Sequence, residues 1–407
     1  MKRRHIAVIT LLGNGHVNPV LPLCSELVER GHHLTYITSD HFADRIHETG
    51  TEPVIFTPPS PSEDLKREAQ KLYRLGCNDI EYWQAARLLQ RHHFNVVENM
   101  LSNTAPFYTR TPPDLILYDV FEFGGRVLAQ RLGCSVVSIS AFFAQYRDYA
   151  VRDNGIFKTP MGVSEYRADL DEFLSSHGIF TANNMWYAEK LNIHLIPRAF
   201  QYCNDVYDDR FCFTGALLNR PFRNVWSDDD VKHTPTILIS DLSGLRDSVV
   251  NANRLYEVII KSLADSQYNC ILSIGEHANA QALGPLPKNF RINRSASHLE
   301  ILPKTTLTIC HGGMLTTLES IYHGVPVLAV PSHPEAGVVA YRTEELGAGR
   351  RIPRDQLTTD LVKDVVEEML GDKGLFTRTR EVQRIFKQST GGAALVADQV
   401  EGALANR

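Results

Sequence analysis

Twice along this chain, short apolar runs of strand character alternate with stretches of helical spacing. No other feature narrows the fold as far. In the first half, "HIAVITLL" reads as a buried strand, and "NPVLPLCSELVERGHH" carries apolar residues at helical spacing up to a helix-ending Gly31. "LTYITS" is a second strand, "DHFADRIHETG" a short helix with Asp40 as N-cap and Gly50 as terminator, and "EPVIF" a third strand. "DLILYD" (114–119), a helix over 123–132 and "CSVVSIS" (134–140) continue the series. The polar stretch 216–233, which contains Pro221 and no sustained period, reads as a linker. The pattern then restarts with "TILIS" (236–240), a helix over 248–265, "NCILSI" (269–274) and "FRIN" (290–293). A short helix near 298–302, "LTICHGG" (307–313), a helix over 314–323 and "VPVLAVP" (325–331) complete it. Strands alternating with helices give parallel sheets covered on both faces. The expected architecture is therefore α/β, with two Rossmann-like, doubly wound domains over 1–215 and 234–407. Ligands of such open sheets bind at the C-terminal ends of the strands, so a cleft between the two domains is expected to be the working face.

Composition excludes several classes of function. The 407 residues carry a net charge of -5, with no basic footprint for nucleic acid. No apolar run approaches the ~18 residues of a membrane span. The basic start Met-Lys-Arg-Arg-His leads into an apolar stretch that breaks at Gly13 without a small-residue cleavage site, which suits a first strand better than a leader. The seven cysteines are scattered, with no Cys-x-x-Cys pair, which argues against a disulfide framework or zinc site and fits a cytoplasmic protein. A monomer or homodimer is expected.

Two glycine-rich turns carry the chemistry. In 307–335, "LTICHGGMLTTLESIYHGVPVLAVPSHPE", a strand ends at Cys310, His311-Gly312-Gly313 makes the turn, and a helix starts near Met314 with Thr316 and Thr317 in its first turn. Unpaired N–H groups and the helix dipole favour an anion there, and Glu319 can accept from a ribose diol. A plain strand-to-helix turn fits the local pattern equally well. The other turn is "GNGHVNPVLPL" (13–23). Gly13-x-Gly15 after a strand, with Asp40 after the next one, suggests a dinucleotide fingerprint. Asn18 holds the third glycine position, however, and His16 stands where a pyrophosphate needs close backbone approach.

The stretch "CHGGMLTTLES…HGVPVLAVPSHPE" closely resembles the donor segment of family-1 glycosyltransferases of GT-B fold, in particular bacterial macrolide and flavonoid glycosyltransferases. The His, the Gly two residues later, the Glu eight residues after the His, and Pro326 and Pro331 carry the likeness. "GHVNP", "GHHLTYITSDHFADRI", "PDLILYD" and "LNIHLIPRAFQ…DDRFCFTG" resemble the acceptor domain of the same family. The resemblance implies that His16 is a general base for the acceptor hydroxyl, with Asp119 as its carboxylate partner. It places the nucleotide sugar on Ser243, Ala296, His298, His311, Gly313, Met314, Thr316, Thr317, Glu319 and Glu335.

Four positions depart from the family pattern: Leu242 replaces a glycine, His298 a glutamine, Leu315 a polar residue, and Ala336 the second member of an acid–Gln pair. Each lost neutral hydrogen bond is worth about 0.5–1.5 kcal/mol, so these changes bear on donor choice. The aromatic stretches "EYWQAARLL" (81–89) and "AFFAQYRDY" (141–149) offer Trp83, Phe142 and Phe143 to an apolar acceptor. The expected activity is inverting transfer from a UDP- or TDP-linked sugar to a macrolide, polyketide or flavonoid hydroxyl. No metal or other cofactor is called for, since the helix dipole and His311 can meet the diphosphate charge. A GT-B protein that has lost catalysis and serves as a binding partner is the alternative.

Overall fold

Runs of Val, Ile and Leu form the strands of two separate sheets, both parallel throughout. The computed structural model describes residues 2–71, 79–144, 163–180, 189–218, 234–240, 249–274, 280–294, 297–331, 334–388 and 391–405. The first sheet contains β1 (His5–Ile9), β2 (His33–Thr38), β3 (Glu52–Ile55), β4 (Leu115–Asp119), β5 (Ser135–Ser140), β6 (Asn192–His194) and β7 (Phe211–Phe213), in the order β3-β2-β1-β4-β5-β6-β7. The second contains β8 (Thr236–Ser240), β9 (Asn269–Ser273), β10 (Phe290–Asn293), β11 (Leu307–Cys310), β12 (Val327–Ala329) and β13 (Gly349–Arg351), in the order β10-β9-β8-β11-β12-β13. Each sheet reverses its strand order once, between β1 and β4 and between β8 and β11. These switch points are where an open α/β sheet leaves a crevice for ligand.

The continuous apolar runs follow from burial on both faces. In β1, Ile6 and Val8 join one core while Ala7 and Ile9 join the other; in β4, Leu115 and Leu117 oppose Ile116 and Tyr118 in the same way. In β8, Ile237 and Ile239 face one core and Leu238 the other. Close covering of β4 needs a glycine. A Cβ on Gly125, at the start of the helix Gly124–Leu132, would fall 2.4 Å from the Tyr118 Cβ.

The chain divides into two units, and their boundary departs from the expected 234–407 second domain. The last helix, Gly392–Ala405, belongs to the first unit, while the second ends with the helix Lys373–Gln388. Val396, Ala397, Val400 and Leu404 sit in the core of the first sheet with Leu21, Leu23 and Leu27. Of the expected linker, 219–233 lies outside the described residues. The helix expected to be capped by Asp40 is Asp40–His47, with Ser39 as N-cap and Asp40 in its first turn. A helix over Asp79–Arg110, not foreseen from the pattern, lies between β3 and β4 in the chain. No helix among the described residues is long and apolar enough to cross a membrane. Cys24, Cys270 and Cys310 are buried.

Candidate active site

At the switch point of the first sheet, two turns meet. β1 ends at Ile9, and after Gly13, extended at φ -145°, a single helical turn Asn14–Val17 carries His16 over the strand ends. Arg45 fastens that turn by donating to Asn14 Oδ1 at 3.1 Å and to Asn18 Oδ1 at 2.7 Å. Asn18 is thus a hydrogen-bond acceptor, and the following helix begins at Leu21. β4 runs parallel to β1 with Tyr118 opposite Ile9, so Asp119 leaves the sheet beside the His16 turn.

There His16 Nδ1 and Asp119 Oδ2 are 2.5 Å apart, with side-chain exposures of 19% and 5%. The other carboxylate oxygen, Oδ1, accepts from the Phe121 N–H at 3.0 Å. A carboxylate held at both oxygens keeps Nδ1 as the donor and leaves the lone pair on Nε2. Phe121 and Phe142 stand 5.7 and 5.2 Å from the His16 ring, centroid to centroid, and 5.2 Å from each other. Phe142, expected at the acceptor, is therefore beside the histidine. Phe121 was not foreseen, although its place two residues after Asp119 is the signal that finds it. Phe143 turns the other way, 7% exposed and stacked at 5.4 Å on Phe200, and so packs the core. The Trp83 side chain and residues 145–149 lie outside what is described.

The second sheet repeats the arrangement with different chemistry. β8 ends at Ser240 opposite Ser273 of β9, and β11 ends at Cys310 opposite Ser240. His298 opens a short helix capped by Ser297 and Glu300. Its Nε2 is 3.1 Å from both the Ser240 and the Ser273 hydroxyl oxygens, and its Nδ1 is 3.6 Å from Glu319 Oε2. Ser240 and Ser273 were not singled out as site residues. The terminal position of each on a central strand is the signal for both.

The turn His311–Gly313 leads into the helix Met314–Tyr322, whose N-cap Gly313 supplies no side-chain cap. Gly312 has φ +82°, and a Cβ there would fall 2.7 Å from the Ala336 carbonyl oxygen. A Cβ on Gly313 would meet His311 Nε2 at 2.7 Å, so the imidazole lies over the start of the helix. Thr316 is half-buried in the first turn. Thr317, Met314 and Glu319 are 1%, 3% and 2% exposed, and the Thr317 hydroxyl faces inward without a hydrogen-bond partner among the described residues. Glu335 lies in the first turn of the helix Pro334–Glu345. Ser243, Leu242 and Ala296 lie outside the described residues.

Residues 257–388 match the family described as Erythromycin biosynthesis protein CIII-like, C-terminal domain. Over the whole chain, the NDP-glycosyltransferase YjiC of Bacillus licheniformis is 32% identical, covering 100% of this chain and 99% of the relative. The demethyllactenocin mycarosyltransferase of Streptomyces fradiae is 28% identical over 98% of this chain and 86% of its own. Among solved structures, the calicheamicin glycosyltransferase CalG4 superposes with a TM-score of 0.78 at 28% identity, covering 100% of this chain and 99% of that one.

Proposed function

The chain belongs to the family-1 glycosyltransferases of GT-B fold, and from that premise we propose that it moves a sugar from a UDP- or TDP-linked donor to a hydroxyl of a hydrophobic small molecule, with inversion at the anomeric carbon. The observation that carries this reading is the His16–Asp119 pair at the switch point of the first sheet. The acceptor O–H gives its proton to His16 Nε2 as its oxygen bonds to the anomeric carbon. The bond from that carbon to the diphosphate oxygen breaks, and its electron pair leaves with the nucleoside diphosphate. Asp119 stabilises the imidazolium that forms. A single displacement inverts the centre.

The second unit holds the donor in this reading. The N–H groups at the start of the helix Met314–Tyr322, the His311 ring and the Thr316 hydroxyl receive the diphosphate, whose charge grows as the bond breaks. Glu319 takes the ribose diol. The charge is met by backbone dipoles and donors without a metal. Phe121 and Phe142 give the acceptor an apolar wall beside the base, which suits a polyketide, macrolide or flavonoid better than a sugar.

The test is a screen of UDP- and TDP-linked hexoses against polyphenol and macrolide panels by mass spectrometry, with NMR of the products. The expected result is an acceptor heavier by one hexosyl unit and a β-glycoside from an α-linked donor. An α-glycoside product would overturn the single displacement, and hydrolysis of the donor without any glycoside would overturn the acceptor assignment.

A further inference from the structure

Beside the His16–Asp119 pair, the segment after β5 is held by buried polar groups that the transfer chemistry above leaves unused. Phe142, whose ring stands 5.2 Å from that of His16, is pinned on both sides of its backbone. Its N–H donates to Ser140 Oγ at 3.1 Å, and its carbonyl oxygen lies 3.2 Å from Nδ1 of His194. His194 ends β6, in register with Ser140 at the end of β5. Its own backbone is fixed as well. The Leu195 N–H donates to the Ser140 carbonyl at 2.8 Å, and the His194 carbonyl accepts from the Thr214 N–H at 3.0 Å. Two residues beyond Phe142, the Gln201 amide closes on the Ala144 backbone. Its Oε1 accepts from the Ala144 N–H at 2.8 Å and its Nε2 donates to the Ala144 carbonyl at 3.1 Å, which also accepts from the Tyr207 hydroxyl at 2.6 Å.

His194 is 5% exposed, and its ring lies near-parallel to those of Phe213 at 5.4 Å and Phe211 at 6.1 Å. A carbonyl oxygen can only accept, so Nδ1 carries the proton and the contact with Phe142 fixes the tautomer. Burial pushes His194 down to about 4, against the pull of the Phe142 hydrogen bond, so the ring is neutral at pH 7. It aims one N–H at one carbonyl. Without that donor the Phe142 carbonyl loses its partner, and a peptide unit that swings to pair with water carries the ring with it. Ala144 stays clamped by Gln201 and Tyr207, so the movement is confined to Phe142.

We propose that His194 is a positioning residue for the acceptor: by donating from Nδ1 to the Phe142 carbonyl, it holds the Phe142 ring beside His16 and so sets the apolar wall that an aromatic acceptor meets. The proposal rests on the reading of Phe142 as acceptor wall given above. It acts on the acceptor side alone, because neither His194 nor Phe142 belongs to the unit that holds the donor.

The experiment compares full-length wild type with His194→Leu, which has no donor, and His194→Asn, whose amide N–H falls where the Nδ1–H stood. With UDP-glucose and quercetin, His194→Leu is expected to raise the quercetin KM about tenfold, the order that one neutral hydrogen bond carries, at unchanged UDP-glucose KM. His194→Asn is expected to restore it. An unchanged quercetin KM in His194→Leu overturns the proposal, as does a His194→Asn enzyme as impaired as His194→Leu. A second measurement needs no substrate. The ring current of Phe142 acts on the carbon-bound protons of His16, which NMR of histidine-labelled protein reads. The His16 signals of His194→Leu are expected to move from wild type toward those of Phe142→Ala, and those of His194→Asn to stay; His194→Leu signals that coincide with wild type overturn the proposal. Where His194→Leu does not fold, His194→Phe takes its place, since it keeps a flat ring against Phe211 and Phe213 without the donor. A raised quercetin KM in Phe142→Ala beside an unchanged one in His194→Leu sinks the role of His194 alone, whereas an unchanged one in Phe142→Ala sinks the acceptor wall on which it stands.

Discussion

His16 Nδ1 and Asp119 Oδ2 lie 2.5 Å apart although 103 residues separate them. The parallel pairing of β1 with β4 brings them together, because it sets both strand ends on one edge. An imidazole so held is fixed in one tautomer and is compensated when it takes a proton. His16→Ala is expected to lower kcat by about 10²–10⁴-fold, the usual worth of a general base, while donor affinity measured by calorimetry stays within a factor of two. Asp119→Asn should also lose turnover at unchanged donor affinity, since an amide no longer stabilises the imidazolium. A His16→Ala enzyme of near-normal rate would remove the histidine from the mechanism.

At the proposed donor turn Gly312 is required, whereas the nearby Gly337 is not. At Gly312 the backbone is left-handed at φ +82° and the Ala336 carbonyl oxygen would be 2.7 Å from a Cβ. Gly312→Ala should therefore cost about 1–3 kcal/mol of stability and weaken UDP binding. Gly337, one residue beyond Ala336, has open space around it inside the helix Pro334–Glu345. Gly337→Ala should be neutral or stabilising by about 0.5–1 kcal/mol, with UDP affinity retained. Thermal unfolding with and without UDP checks both, and equal behaviour of the two variants would contradict the crowding at Gly312.

The C-terminal helix is expected to hold up the unit that begins the chain. Arg30 donates to Asp398 at 2.6 Å, to Glu401 at 2.8 Å and to the Ala394 carbonyl at 3.0 Å, and His32 Nε2 lies 2.9 Å from Glu401. Beneath these contacts Val396, Val400 and Leu404 are buried, each worth about 1.5–3 kcal/mol. Truncation after Gln388 should raise hydrogen exchange in the helix Leu21–Glu29 and leave Val249–Leu263 protected. Arg30→Ala alone should cost about 1 kcal/mol or less, as partly exposed ion pairs do. Exchange rising in the second unit instead would contradict the division of the chain.

The strands were legible in the sequence because two-faced burial writes itself as unbroken apolar runs, and the His16–Asp119 pair because the resemblance to the glycosyltransferases implies it. Parallel pairing then places strand-terminal residues together. The C-terminal helix was not legible: its apolar spacing says that it packs, and only tertiary contact says that it packs on Leu21–Leu27. Arg45, Ser273 and His194 are short-range polar partners whose roles depend on what the fold brings opposite them. A buried histidine reads in sequence like any surface histidine. Phe142 and Phe143 show the same limit, since neighbouring rings of one type part company, one beside His16 and one in the core.

Glu122, buried after Asp119, gives the folded state a pH signature. Burial raises its carboxyl from an ordinary 4.5 to about 8, so between these values the native chain keeps a proton that the unfolded chain has lost. Stability then falls as pH rises through that window, by up to ~1.4 kcal/mol per unit. His93, lowered by burial from 6.5 to about 4, acts in the opposite sense: between those values the unfolded chain binds the extra proton, so stability rises with pH. The His93 effect is common to wild type and Glu122→Gln and drops out of their difference. The melting temperature of Glu122→Gln relative to wild type should therefore climb steadily from pH 5 to pH 8 and level off above. A difference that stays constant across this range would show that Glu122 is charged in the native protein at neutral pH.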